Sequence, residues 1–349
     1  MASTALTAAL PLPSAEPAAK RVLRVGFGSL WLLDGLLQLQ PGMWSPAVLV
    51  GEVWQAAAQG PAWLVRLVDW SIQLAAPQLG AFNWLLVIVE LALGAMLLAG
   101  RRPFTQAAAW GSLLFGAAVW IFGDGLGGLL AGGSTILGGA PGSGLLYALA
   151  AAALLAPEGF GLRVARKAIP AGTAVVAATL AGGALLQLQP VFWGGIGLSA
   201  PIAAHFMMAQ PAVLRDVISM AAGVAAAAPG AVNVLLILVM LALALALLRA
   251  PGDSTVLWTT LALLAVLWIT AQDAGMLPSG MATDPNTMPA LAVLLVSGWA
   301  GAPQGRRTGA APAAGTARGG AAADGRAARR QHQALGRPRP SAWSHLPMS

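Results

Sequence analysis

The chain is predicted to be an all-α integral membrane protein with eight transmembrane helices, arranged as two parallel four-helix repeats. Three observations support this. First, 58% of its 349 residues are hydrophobic and only 9% are charged, with mean hydropathy +0.74, more apolar surface than a water-soluble domain can hide. Second, the chain repeats itself: DGLLQLQPGMW at 34–44 returns as GALLQLQPVFW at 183–193. Third, the echo continues at nearly constant spacing. FNWLLVIVELALGAMLL at 82–98 matches VNVLLILVMLALALALL at 232–248, and 110–135 matches 258–283 with Trp110 and Trp120 opposite Trp258 and Trp268.

Each copy offers four hydrophobic segments, near 22–40, 82–100, 106–122 and 144–157 in the first and 171–189, 231–249, 255–272 and 288–300 in the second. Segments of about 17–20 apolar residues cross the roughly 30 Å hydrocarbon core; the fourth of each copy is short and calls for local thinning or borrowed flanks. Lys20, Arg21, Arg24, Arg101, Arg102, Arg163, Arg166, Lys167 and Arg249 fall on one side of the eight-span arrangement, and only Arg66 and Arg215 on the other. The positive-inside rule then puts both termini in the cytoplasm of a bacterial-type plasma membrane. An even number of spans per unit inserts both copies the same way, related by an axis along the membrane normal.

Four regions follow: a disordered N-terminus at 1–20, a first membrane repeat at 21–160, a second at 161–300, and an Arg/Ala/Gly-rich tail at 301–349 that lacks apolar periodicity and is expected to be disordered. Segment 22–40 follows a basic cluster without a small-residue cleavage site and is read as a retained span. The tail holds eight arginines and one aspartate, which accounts for the net +7; residues 1–300 balance eleven basic against eleven acidic residues. The membrane body therefore carries no basic steering field, and nothing in it points to nucleic acid. There is no cysteine, which excludes disulfides, thiolate metal sites and thiol redox chemistry.

Between the first and second spans of each copy the pattern is amphipathic. Pro46 and Pro61 sit where prolines open helices, and Trp63, Leu67, Trp70 and Leu74 recur at helical spacing, predicting an interfacial helix; 201–228 repeats the plan behind Pro201 and Pro211. Trp44 and Trp193 are placed as interfacial anchors. Between the third and fourth spans lie GDGLGGLLAGGSTILGGAPGSG (123–144) and DAGMLPSGMATDPNTMP (273–289). The glycine pattern in the first follows a membrane span, not a buried strand, so it is no dinucleotide fingerprint. These loops are expected to pack irregular backbone at the outer surface, with Asp124, Asp273, Asp284 and Asn286 as candidate site residues.

Ionisable groups inside a membrane default to function. Asp34 in the first span and Glu90 in the second qualify, and their counterparts in the second copy are Gly183 and Met240. One specialised and one supporting half are thus expected, with Glu90 and Asp34 as ligand-binding or proton-relay candidates and a carboxyl-mediated helix staple as the bland alternative. Gln38 and Gln40 recur as Gln187 and Gln189 just before Pro41 and Pro190, which predicts an irregular outer end to this span and adds these four amides to the ligand-binding or proton-relay candidates, with interhelical hydrogen bonding as the alternative. His205, Met207 and Met208, with thioethers and an imidazole on the outer side, form a candidate Cu(I) site.

Residues 21–40 and 89–100 resemble the DoxX-like group of four-span membrane proteins, which includes the small subunit of thiosulfate:quinone oxidoreductases. The features are Arg24 opening a first span with Gly26, Gly28 and Gly35, and VELALGAMLLAG, in which Glu90, Gly94 and Gly100 match an acid-then-glycine pattern. The second copy departs from it at Met240 and Ala244. The resemblance implies a membrane subunit that holds a quinone or supports a redox partner; apart from it, the bilayer and either a redox partner or a further copy of the chain are the expected associations. A small-solute or metal permease running between the repeats, and a scaffold without a ligand, are the alternatives.

Overall fold

A computed structural model describes residues 16–164, 167–207 and 209–303. Most of the N-terminal segment, the tail from 304 onward, Arg166 and Met208 lie outside the described residues, as does the Met207 side chain.

The fold is all-α, as its apolar periodicity requires. Helix α1 (Ala18–Leu37) gives way to a 3-10 turn at Pro41–Trp44, a π-helical segment at Leu49–Trp54 and the short α2 (Gln55–Ala57). Then come α3 (Ala62–Ala75), α4 (Leu79–Ala99), α5 (Arg102–Ala118) and α6 (Ser143–Leu155). A hairpin that the sequence reading did not anticipate, β1 (Gly161–Val164) paired antiparallel with β2 (Lys167–Pro170), leads onward. The second half has α7 (Ala171–Leu186), a 3-10 turn at Pro190–Trp193, α8 (Gly195–Ala203), α9 (Ala212–Ala227), α10 (Pro229–Arg249), α11 (Ser254–Ala271) and α12 (Thr287–Gly301).

Among the described residues, four helical stretches are long and apolar enough to cross a membrane: Ala62–Ala99, Arg102–Gly123, Pro229–Arg249 and Ser254–Ala271. The other helices of the eight-span prediction fall short for separate reasons. α6, α7 and α12 have 13, 16 and 15 residues. α1 has 20, but Lys20, Arg21, Arg24 and Asp34 interrupt its apolar run.

The predicted amphipathic helix is present. Pro61 caps α3, whose Leu64 and Val68 are buried while Trp63, Trp70 and Leu74 are exposed. Pro211 caps α9 in the same way. Pro201 departs from its expected place at a helix start: α8 begins at Gly195, and the proline lies in its last turns.

Small residues let the helices meet closely. A Cβ on Gly94 of α4 would lie 2.8 Å from the Gly28 carbonyl of α1. α12 lies against both α1 and α7, with Val293 over Gly26 and Thr173 over Gly298. At one end, cations satisfy carbonyls at helix C-termini, where the helix dipole favours them: Lys20 Nζ donates to Ala156 O at 2.6 Å, Arg24 Nη1 to Leu97 O at 2.8 Å and Lys167 Nζ to Arg249 O at 2.8 Å.

Candidate functional site

The site is built at the other end, where α1 and α7 stop early. Both are followed by Gln-Leu-Gln-Pro and a 3-10 turn, so the predicted irregular ends are present. Asn83 Nδ2 of α4 donates to the Gln38 carbonyl at 2.9 Å, and Asn233 Nδ2 of α10 donates to the Gln187 carbonyl at 2.9 Å. In the loops beyond α5 and α11, Trp120 Nε1 donates to Pro141 O and Trp268 Nε1 to Pro285 O, both at 2.8 Å. Each loop also makes a left-handed turn, four consecutive residues with positive φ: 125–128 in the first and 273–276 in the second. Gly127 is required there, because a Cβ would drive into the Pro141 carbonyl. The second turn places Asp273, Ala274 and Met276 in this region at roughly 1–2 kcal/mol each, so the surrounding packing must hold it.

These loops hold one another. Thr287 Oγ1 donates to Gly139 O at 2.6 Å. Gln187 Nε2 donates to Thr135 Oγ1 at 2.6 Å, Gln189 Nε2 to Ser134 O at 2.9 Å, and Gln272 Nε2 to Ile136 O at 3.2 Å. Gln187 and Gln189 can act on one segment because α7 has already ended at Leu186. Ile136, fully buried, reaches the position where a Cβ on Gly183 would lie 3.1 Å from its Cδ1 and 3.3 Å from Met240 Sδ.

The corresponding place in the first half is open. A cavity of about 1180 Å³ is lined by Asp34, Glu90, Asp124, Asp284, Gln38 and Tyr147, among others. Its volume exceeds the ~300–1,000 Å³ usual for small-molecule pockets. Ser143 and Asn286 also border it, and most of the remaining wall is apolar or glycine backbone. Trp31 lies edge-on to Tyr147, ring centroids 4.5 Å apart, and tilted against Phe115 at 5.4 Å. Asp34, Glu90, Tyr147 and Trp31 are 2%, 5%, 3% and 3% exposed; Asp34 faces Tyr147 and Glu90 faces Gln38, yet Asp34 Oδ1, Glu90 Oε2, Tyr147 Oη and Trp31 Nε1 have no partner at full hydrogen-bond geometry. Such buried polar atoms are rare in folded proteins.

The two outer carboxyls are held in place locally. Asp124 Oδ2 accepts from Gly144 N at 3.0 Å. Asp284 Oδ1 accepts from Asn286 N at 2.6 Å, Thr283 Oγ1 donates to Asp284 Oδ2 at 3.2 Å, and Asn286 Oδ1 caps α12 through Thr287 N. Burial, and after it the nearby charge of Asp284, pushes Asp124 from its ordinary 3.8 up to about 7. Burial raises Asp284 as well, against the hydrogen bonds from Asn286, Ser143 and Thr283. The field of Asp284 also reaches Asp34 and Glu90. No three His, Cys, Asp or Glu among the described residues are close enough to share a metal ion. The carboxyls therefore surround space of ligand size and do not converge on one ion.

Of the sequence candidates, Asp34, Glu90, Gln38, Asp124, Asp284 and Asn286 come together in this cavity. Gln187 and Gln189 instead fasten the loop at 133–135, and Gln40 lies outside the lining. Asp273 is fully buried with neither oxygen bonded, and its burial raises its pKa, but it does not line the cavity. His205 Nε2 is paired with Ala271 O at 3.1 Å, and burial lowers its pKa while that carbonyl opposes the shift. Tyr147, Trp31 and Ser143 escaped the sequence reading. Tyr147 carried a signal: it is the chain's single tyrosine. A second missed signal lies in the alignment of the halves. Carried one residue past 135 and 283, it sets Ile136 opposite Asp284, and it already sets Gln272 opposite Asp124. The quartet Asp34, Glu90, Asp124, Asp284 thus corresponds to Gly183, Met240, Gln272, Ile136.

No known family, curated protein or solved structure matches this chain.

Proposed function

We propose that this is an eight-span membrane protein of two parallel four-helix repeats, DoxX-like in its first half, whose cavity binds a lipid-soluble molecule with a polar head, a quinone by class. One observation carries the reading: among the described residues, four carboxyls, a tyrosine hydroxyl and an indole N–H meet in a single large cavity whose wall is otherwise mostly apolar side chains and glycine backbone, with a few amides and hydroxyls. That is the lining of a site for an amphiphile, with a few polar groups to orient it and hydrophobic surface to bury the rest. The matched Asn–carbonyl and Trp–carbonyl hydrogen bonds, and the paired left-handed turns, support the two-repeat architecture. In this reading the basic end, with Lys20, Arg24 and Lys167, faces the cytoplasm of a bacterial-type plasma membrane, and the cavity lies toward the outer face. Glu90 and Asp34 provide the deep polar contacts, and Gln38 supports Glu90. A membrane redox partner or a second copy of the chain would complete the assembly.

The test is mass spectrometry of lipophilic molecules that co-purify with the full chain in mild detergent, beside a Glu90→Gln preparation. A stoichiometric quinone in the first that is lost in the second is the expected result. No enriched lipophile in either preparation refutes it. A second reading, a small-solute carrier, draws on Pro201, Thr283 and Asp284 of the second half lining the same cavity. It predicts proton-coupled uptake into vesicles that Glu90→Gln abolishes.

A further inference from the structure

The cavity's chemistry is one-sided. Among the described residues, four carboxyls line it, and no Lys, Arg or His does. Two of its buried atoms without a close partner, Asp34 Oδ1 and Glu90 Oε2, belong to carboxyl groups; Tyr147 Oη, Trp31 Nε1 and the Gln38 amide are the donors beside them, and the hydroxyl of Ser143 and the amide of Asn286 also border the cavity. The site is therefore acceptor-rich. An anionic head would add charge of the same sign to a low-dielectric space in which no described residue is a cation that could offset it. A head that accepts only, such as an oxidised quinone carbonyl, can take a bond from Tyr147, Trp31, an amide or a protonated acid, but it leaves the carboxyl acceptor oxygens unmatched.

The rim is also one-sided. Trp70 and Leu74 of α3 and Phe82 and Leu85 of α4 line the cavity, and they are 58%, 69%, 40% and 55% exposed. They belong to one continuous stretch, Ala62–Ala99, apolar enough to lie in a membrane. Large apolar side chains at the mouth would be costly against water but suit a passage from the acyl chains.

The second half provides an internal control. There, Gly183, Met240 and Ile136 fill the place taken in the first half by Asp34, Glu90 and Asp284, and they pack it closed. Asp284 belongs to the second half, whereas Asp34 and Glu90 belong to the first. Neither half alone contains the acidic set.

Building on the proposed amphiphile-binding role, we infer that the site is completed by the second half through Asp284, and that it takes a bilayer-dissolved amphiphile whose non-anionic head donates hydrogen bonds. Two sources share this chemistry, a hydroquinone hydroxyl and an ammonium. The acids accept from the head while the tail lies along the α3–α4 rim.

The experiment uses the full chain in lipid nanodiscs, with equilibrium binding of decyl-hydroquinone, the oxidised decyl-quinone, decylamine, decanoate and tailless hydroquinone. Decyl-hydroquinone or decylamine should bind at least about tenfold tighter than decyl-quinone and decanoate, the scale of one hydrogen bond to a carboxyl group, and whichever of the two is tighter identifies the source. Asp284→Ile should remove that preference. The triple variant Asp34→Gly, Glu90→Met, Asp284→Ile copies the packed arrangement of the second half, so it should stay folded and monodisperse and bind none of the probes. Equal or tighter binding of oxidised quinone, decanoate or the tailless head, or wild-type preference in the Asp284→Ile protein, overturns this inference while leaving an amphiphile-binding cavity in place. Failure of every tailed probe to bind the wild-type protein overturns both.

Discussion

Asp124 offers a direct measurement of how the two halves are coupled. Its carboxyl is raised from 3.8 to about 7 by burial first and the charge of Asp284 second, against one hydrogen bond from Gly144 N. A raised acid holds its proton in the folded state over a range where the unfolded chain has released it. Folding is then favoured fully below the unfolded pKa, and that contribution disappears as pH rises through about 7. The difference corresponds to roughly 4 kcal/mol lost between about pH 4 and pH 7. Thermal unfolding in detergent should therefore show the protein less stable at pH 8 than at pH 5. Asp124→Asn keeps an acceptor for Gly144 N and should flatten much of that slope. An infrared titration of the protonated-carboxyl band, taken as wild type minus Asp124→Asn, should report a midpoint near 7. Asp284→Asn removes the second cause, so the same midpoint should move down. Identical pH profiles for wild type and Asp124→Asn would refute the reasoning. An unmoved midpoint in Asp284→Asn would refute the coupling across the loops.

Three further outcomes follow from the packing. Ile136→Ala removes a fully buried side chain wedged against Gly183 and Met240 and should destabilise the folded protein by roughly 2–5 kcal/mol, read by chemical denaturation. Asn233→Ala leaves the Gln187 carbonyl without its buried donor and should cost about 1–2 kcal/mol in the same assay, with Asn83→Ala behaving alike toward Gln38. Gly127→Ala places a side chain at φ 64 against the Pro141 carbonyl and should lower the thermal midpoint and increase protease sensitivity of the 123–142 loop, whereas Gly132→Ala, which meets nothing within 4 Å, should do neither.

Hydropathy and periodicity made the helices legible, because burying an apolar face or crossing lipid is a local demand on a continuous run of residues. The same reasoning found α3 from its tryptophan spacing, the irregular ends of α1 and α7 from Gln-Leu-Gln-Pro, and Asp34 and Glu90 from their unlikely surroundings. How the outer loops meet one another was not legible, because it depends on contacts between distant segments. Asp273 and Asp124 are both outer-loop candidates from the sequence, but only Asp124 lines the cavity, while Asp273 is buried at the start of the left-handed turn. Gln187 and Gln189 seemed ligand candidates, but they hold the loop at 133–135.

The sequence by itself determined an apolar, predominantly helical, internally repeated chain with two acids where lipid-facing helices rarely carry them. Tertiary structure alone decided which loop meets which helix pair, and therefore that Asp284 joins Asp34 and Glu90 while Ile136 closes against Gly183 and Met240. Local patterns cannot carry that information. It arises where small residues allow backbones to approach and buried hydrogen bonds, such as Thr287 to Gly139 and Gln187 to Thr135, fix one loop across another.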